Sequence, residues 1–142
     1  MNTQRISDAI RVLDFKTVEG AATSTTAWIN MADQDAILAI IQGEIVGTSL
    51  DAKLEQATDN SGTGAKDITG LAITQITTDD EGACIECYAD SLDLDNNFDH
   101  VRASYTTVGA TTLVTATVVS CDQERYSPLA DSAKIVEIIQ DA

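Results

Sequence analysis

Aromatic side chains are scarce in this chain of 142 residues, at 4%, so a hydrophobic fraction of 44% has to build its core from Ala, Val, Ile and Leu. A core of that kind suits thin, twisted sheets. Positive charge is scarce as well: 8 Lys and Arg stand against 23 Asp and Glu, for a formal net charge of -15. Non-specific binding to nucleic acid rests on cationic side chains neutralising phosphates, so a nucleic-acid partner is not expected. The same imbalance solvates the surface and favours a partner whose facing surface is basic. No apolar run approaches the ~18 residues of a membrane span. The longest, residues 36–41, is far shorter, so no membrane partner is expected. Residues 1–15 hold no continuous apolar region of the kind a signal peptide carries, which predicts a protein made in the cytoplasm and kept there or released by lysis. The cysteines, Cys84, Cys87 and Cys121, are odd in number and come without a secretory signal, which argues against a disulfide framework.

What the chain does have is alternation. In residues 50–76, Leu50, Ala52 and Leu54 fall on one face and Asp51, Lys53 and Glu55 on the other, the period-two signature of a half-buried strand. Asp59-Asn60-Ser61-Gly62-Thr63-Gly64 then supplies residues that tolerate tight or left-handed backbone, so the chain can reverse before Ile68, Leu71, Ile73 and Ile76. Residues 27–31 and 36–46 read as two more strands around a turn at 31–35. The second, with Ile40 and Ile41 adjacent, is buried on both faces or bulged near Gly43. Gly47-Thr48 reverses the chain into residues 50–57. Ala83, Ile85, Cys87 and Ala89 alternate with Cys84, Glu86 and Tyr88, and Val101, Ala103 and Tyr105 with Arg102 and Ser104. Val108-Gly109-Ala110 predicts a hairpin turn into residues 112–121, the richest β-branched stretch.

The two ends read differently. Ile6, Ile10 and Leu13 are spaced by four and three, which fits a short amphipathic helix or an arm that orders on a neighbour, and residues 20–26 are a small, polar connector. After Pro128, Ile135, Ile138 and Ile139 stand at helical spacing in a tail that is a short helix or an extended arm. The expectation is an all-β chain, an antiparallel β-sandwich or jelly roll with short N- and C-terminal arms or helices. Its parts are an arm or helix with connector at 1–26, a sandwich domain at 27–127 and a tail at 128–142. The apolar residues at the ends, Ile6, Ile10, Ile135, Ile138 and Ile139, are the candidate interface with a partner or a second subunit, with docking onto the same domain as the alternative.

No constellation carries chemistry. Cys84 and Cys87 have CxxC spacing, but a structural zinc needs four ligands, which here requires all three cysteines and His100, and on a strand positions 84 and 87 point to opposite faces. Cys87 reads as core and Cys84 as surface or interface. The run Asp90, Asp93, Asp95, Asn96, Asn97 and Asp99 invites a calcium reading, yet counted from Asp93 an EF-hand needs Gly where Phe98 stands and Glu where Ser104 stands. A solvated, self-capping turn or an irregular calcium loop both remain open there. Gly62-Thr63-Gly64-Ala65-Lys66 lacks P-loop spacing, since Asp67 follows the lysine. No serine or cysteine stands in a nucleophile motif, so no catalytic residue, metal or cofactor is assigned and the chain is not expected to be an enzyme. Trp28 with Tyr88, Tyr105 and Tyr126 could form a sugar-binding platform, but the expected place of Trp28 is the core, since large apolar side chains are scarce here and one strand end needs it.

The stretch LDAKLEQATDNSGTGAKDITGLAITQ at 50–75 resembles one found among small virion structural proteins of tailed bacteriophages and prophages. ADSLDLDNNFDHVRASYTTVGATT at 89–112 and ERYSP at 124–128 fit the later part of the same pattern, so the likeness runs from about Trp28 to Pro128. The resemblance implies a capsid decoration or cement protein: a β-sandwich or jelly roll, a homodimer or homotrimer, bound to the major capsid protein on the capsid exterior. A tail or head–tail connector protein is the alternative within the virion, and a carbohydrate-binding module on a virion the alternative outside that class.

Overall fold

The computed structural model describes residues 9–32, 34–121 and 134–135. The strands follow the alternation. In β4 (Ala36–Ile45) the residues Ile37, Ala39 and Ile41 are buried, and in β5 (Ser49–Ala57) Leu50, Ala52 and Leu54 are. β7 (Glu81–Tyr88) buries Ile85 and Cys87, β8 (His100–Val108) buries Val101, Ala103 and Tyr105, and β9 (Leu113–Cys121) buries Val114, Ala116 and Val118. Each such face is apolar because a strand shows one side to the facing sheet, and a fully buried Leu or Ile stabilises by roughly 1.5–3 kcal/mol. The bulge expected near Gly43 is present: the register of β4 against β9 shifts between Gly43 and Ile45.

Four shorter or less expected strands complete the set: β1 (Ile10–Glu19), β2 (Thr23–Thr25), β3 (Ile29–Asn30) and β6 (Lys66–Ala72). Two sheets result, the first in the order β1-β9-β4-β7 and the second in the order β2-β8-β5-β6, with β3 also on β8. β2 and β3 are halves of one strand broken at residues 26–28, both paired antiparallel with β8. Counted so, the chain is a nested antiparallel hairpin: β1 with β9, β2 and β3 with β8, β4 with β7, and β5 with β6. That hairpin is rolled so that β4 also pairs with β9 and β5 with β8. This is jelly-roll connectivity, a form of the antiparallel sandwich expected from the sequence.

Three local expectations are corrected. Residues 10–19 are not helical: β1 pairs with β9 along its length, from Ile10 opposite Cys121 to Glu19 opposite Leu113. Three apolar residues at helical spacing are a weak signal, and a full ladder to a β-branched strand outweighs it. The sandwich therefore begins at Ile10 and not at residue 27, because β1 and β2 each supply a strand to one sheet. The turn at Val108-Gly109-Ala110 is not a hairpin but an arch, since β8 and β9 lie in different sheets. The connection from β4 to β5 is a second arch, and the two meet where the Thr48 N–H donates to the Val108 carbonyl at 2.7 Å. Gly47 is in the left-handed region there (φ +70), and a Cβ on it would lie 2.9 Å from the same carbonyl. Of the tail at 128–142 only Lys134 and Ile135 fall among the described residues.

Candidate functional site

Among the described residues, those singled out for chemistry do not converge. Cys84 is exposed and Cys87 buried on the first sheet, while His100 stands on the second and bonds its neighbour, His100 Nδ1 to Asp99 Oδ1 at 2.6 Å. Burial, with the Asp90 charge, pushes the Cys87 thiol up to about 11, the opposite of what a reactive thiol needs. Cys121 ends β9, and its side chain is outside the described residues. Among the described residues no three His, Cys, Asp or Glu side chains are grouped to hold a metal ion. In the 90–99 corner, two one-turn 3-10 helices, Ala89–Ser91 and Leu94–Asn96, fold the chain. Asp93 there is bonded by Lys66 at 2.5 Å and Asn96 at 2.8 Å, and the Lys66 bond, then that of Asn96, holds its carboxyl below the usual range. Lys66 also lies over the Phe98 ring at 4.0 Å. These are the contacts of a self-capping turn.

The loop at 59–64 likewise spends its donors on itself. Asp59 accepts the N–H groups of Ser61 at 2.9 Å and Thr63 at 3.0 Å, and the Thr63 hydroxyl at 2.6 Å. Asn60, Ser61, Thr63 and Gly64 are exposed, as an open tip requires. Gly62, half-buried, lies against Trp28: its φ is +83, and a Cβ on it would stand 2.8 Å from the indole Nε1.

Trp28 is thus not core. Ile29 takes the inward position next to it, leaving the half-buried indole on the outer side of the second sheet, under the Arg102 guanidinium at 4.4 Å. Arg102 also binds Glu55 at 2.8 Å, and Lys53 beside it binds Asp67 at 2.6 Å. A Gly backbone and a cation therefore occupy the indole. Tyr105 is in the core, with its hydroxyl donating to the Lys16 carbonyl. Of the four rings of the sugar platform, Trp28 is half-buried under Arg102, Tyr105 is buried, Tyr88 is exposed on the first sheet away from both, and Tyr126 lies outside the described residues. The outer side of the second sheet is a polar lattice, with Thr23 and Thr106 hydroxyls 2.9 Å apart and Gln75 on Asp51 at 2.9 Å.

The first sheet differs. Its outward positions, fixed by register, form cross-strand rows: Val12, Val119, Leu38 and Glu86 in one, Phe15, Thr117, Ile40 and Cys84 in the next. Leu38, Ile40, Phe15 and Val119 are half-buried, so this face is largely apolar where that of the second sheet is ionic. Ile10, a predicted interface residue, is 39% exposed at the end of this face. Ile135 is half-buried, beside Lys134, whose ammonium binds Asp14 at 2.7 Å and the Phe15 carbonyl, and lies 5.0 Å from the Phe15 ring. Ile6, Ile138 and Ile139 lie outside the described residues. The sequence missed Leu38 and Ile40 as surface, because residues 36–46 read as buried on both faces or bulged near Gly43, and it did not single out Val119. Among the described residues no helix is long and apolar enough to cross a membrane.

No family model and no curated protein matches the chain. Among solved structures it is similar to one described as the structure of infectious bursal disease virus Gt strain, at 14% identity and a TM-score of 0.23, over 80% of this chain and 40% of that one. The chain thus spans 40% of the length of that solved chain, and a likeness of this size carries no argument.

Proposed function

We propose that the chain is a non-catalytic structural protein of tailed-bacteriophage or prophage virions, and within that class a capsid decoration or cement protein on the shell exterior. The observation that carries the reading is the contrast between the two sheets: an apolar outer face on the first, made of Phe15, Leu38, Ile40 and Val119, and a self-satisfied ionic face on the second. A jelly roll hosts many functions, so the fold by itself does not choose. The likeness of residues 50–75, 89–112 and 124–128 to small phage structural proteins supplies the choice. The major capsid protein, and a second or third copy of the chain, are the partners this reading implies. A net charge of -15 suits the exterior better than a surface facing packaged DNA. Weak contact per copy is enough, since many copies on one shell add avidity.

The test is binding of purified protein to expanded empty capsids of the particle that encodes it, with heat resistance compared with and without it. Saturable binding and a raised disruption temperature support cementing. Capsids that neither bind the protein nor gain resistance overturn it. A copy number that scales with the number of shell subunits marks decoration, and a single ring's worth marks a connector.

A further inference from the structure

Lys134 is tied to β1 in three ways. Its ammonium bonds the Asp14 carboxylate at 2.7 Å and the Phe15 carbonyl, and lies 5.0 Å from the centre of the Phe15 ring. β1 is the edge strand of the first sheet, and Phe15 opens the outward row that continues through Thr117 on β9, Ile40 on β4 and Cys84 on β7. The tie therefore stands where the apolar outer face begins. Ile135, the next residue, is half-buried there although it lies beyond the last strand.

The sequence after the tie fits the surface beside it. Seven residues follow Ile135, and wound as a helix they put Ile135, Ile138, Ile139 and Ala142 on one side and Glu137, Gln140 and Asp141 on the other. Two turns of helix reach about 10 Å, which matches the two strand spacings from β1 across β9 to β4. A helix this short is marginal in water and needs a surface to form on. The first sheet offers an apolar one, with Phe15 and Ile40 half-buried on its outer side.

We propose that residues 135–142 dock as a short amphipathic helix on the outer face of the first sheet of their own chain, with Ile135, Ile138 and Ile139 over Phe15, Thr117 and Ile40. The Lys134 tie selects this occupant over a second copy, because it holds the segment beside its own sheet at a high effective concentration. The three isoleucines become packing within the chain and not contacts to a partner. The apolar surface left open is then the end around Ile10, Leu38, Val119 and Tyr88, which line one depression of about 280 Å³. Under the capsid reading above, a shell subunit would meet Leu38 and Val119 and not Phe15 and Ile40. The docking itself is argued from this chain alone and does not rest on that reading.

The test is photo-crosslinking of the full chain carrying benzoylphenylalanine in place of Ala142, with the linked peptides located by mass spectrometry. The expected product is a link within one chain to a peptide of β1, β9 or β4. Ile138→Ser combined with Ile139→Ser should abolish that link, raise the unfolding equilibrium constant at least about tenfold and increase the emission of an apolar dye. Glu137→Ser and Asp141→Ser, on the opposite side of the helix, should change none of these. The proposal is overturned by links to the second sheet, by links only between chains, or by none. It is also overturned if the two pairs of substitutions have equal effects. The link is read on the unsubstituted isoleucines, so it decides even where a serine variant does not fold. Failure of capsid binding leaves these outcomes untouched, so the two readings fail separately.

Discussion

The carboxylate of Asp14 accepts the backbone N–H of Ala27 at 2.7 Å, joining β1 of the first sheet to the break between β2 and β3 of the second. β1 shifts register between Val12 and Asp14, and Asp14 is 6% exposed. An N–H left free by the interrupted strand is thus satisfied from the opposite sheet, and Lys134 offsets the buried charge.

Asp14→Ala leaves the Ala27 N–H without its acceptor and is expected to destabilise the fold by about 1–3 kcal/mol. Burial raises the Asp14 carboxyl, but the Lys134 bond, the Ala27 N–H and the Lys134 charge outweigh it and hold its pKa below the usual 3.8. The folded value being the lower one, the contribution is complete above pH 3.8 and is lost as pH falls from there through the folded value. Urea midpoints across acid pH should therefore fall more steeply for the native chain than for Asp14→Asn. Parallel curves refute the assignment.

Gly62→Ala forces a side chain into a left-handed position and against the indole of Trp28. We expect a loss of about 1–3 kcal/mol from the backbone and the contact together. Trp28 is the single tryptophan, so its emission should shift in the folded variant as the loop lifts. An unchanged spectrum with unchanged melting temperature counts against the packing described.

The two thiols of the CxxC pair should differ sharply in reactivity. With Cys121→Ser in the background, a thiol reagent at neutral pH should label Cys84 in the native protein and Cys87 only on unfolding, since Cys84 is exposed and Cys87 is buried with a raised pKa of about 11. Labelling of both at equal rates, or neither until reduction, rejects this.

Calcium at millimolar concentration should leave the melting temperature unchanged, because Asp93 is already occupied by Lys66 and Asn96. Lys66→Ala should alter the midpoint little, as the pair is exposed. A calcium-dependent rise in melting temperature, absent in Asp93→Asn, marks the corner as a cation site instead.

Several elements were legible because period two is a local property of the chain. Leu50, Ala52 and Leu54 had to share a face, Cys84 and Cys87 had to part, and the Ile40-Ile41 doublet with Gly43 allowed burial on both faces or a bulge, of which the bulge is present. The interface residues were less legible. Ile10 stands exposed, but at a strand end and not on a helix.

The sequence alone determined the β class, the inward residues of the main strands and the absence of a reactive motif, since these follow from residue type and spacing. Only the tertiary structure decided that residues 10–19 form a strand on β9 and that the Gly109 turn is an arch between sheets. It also decided that Trp28 lies outside over Gly62, and that the Ser120 hydroxyl is buried on the inward side of β9 without a partner. The physical reason is that a turn residue specifies that the chain reverses, and a side chain what it can bury, but which strand or loop it then meets is decided by segments elsewhere in the chain that only the closed sandwich brings together.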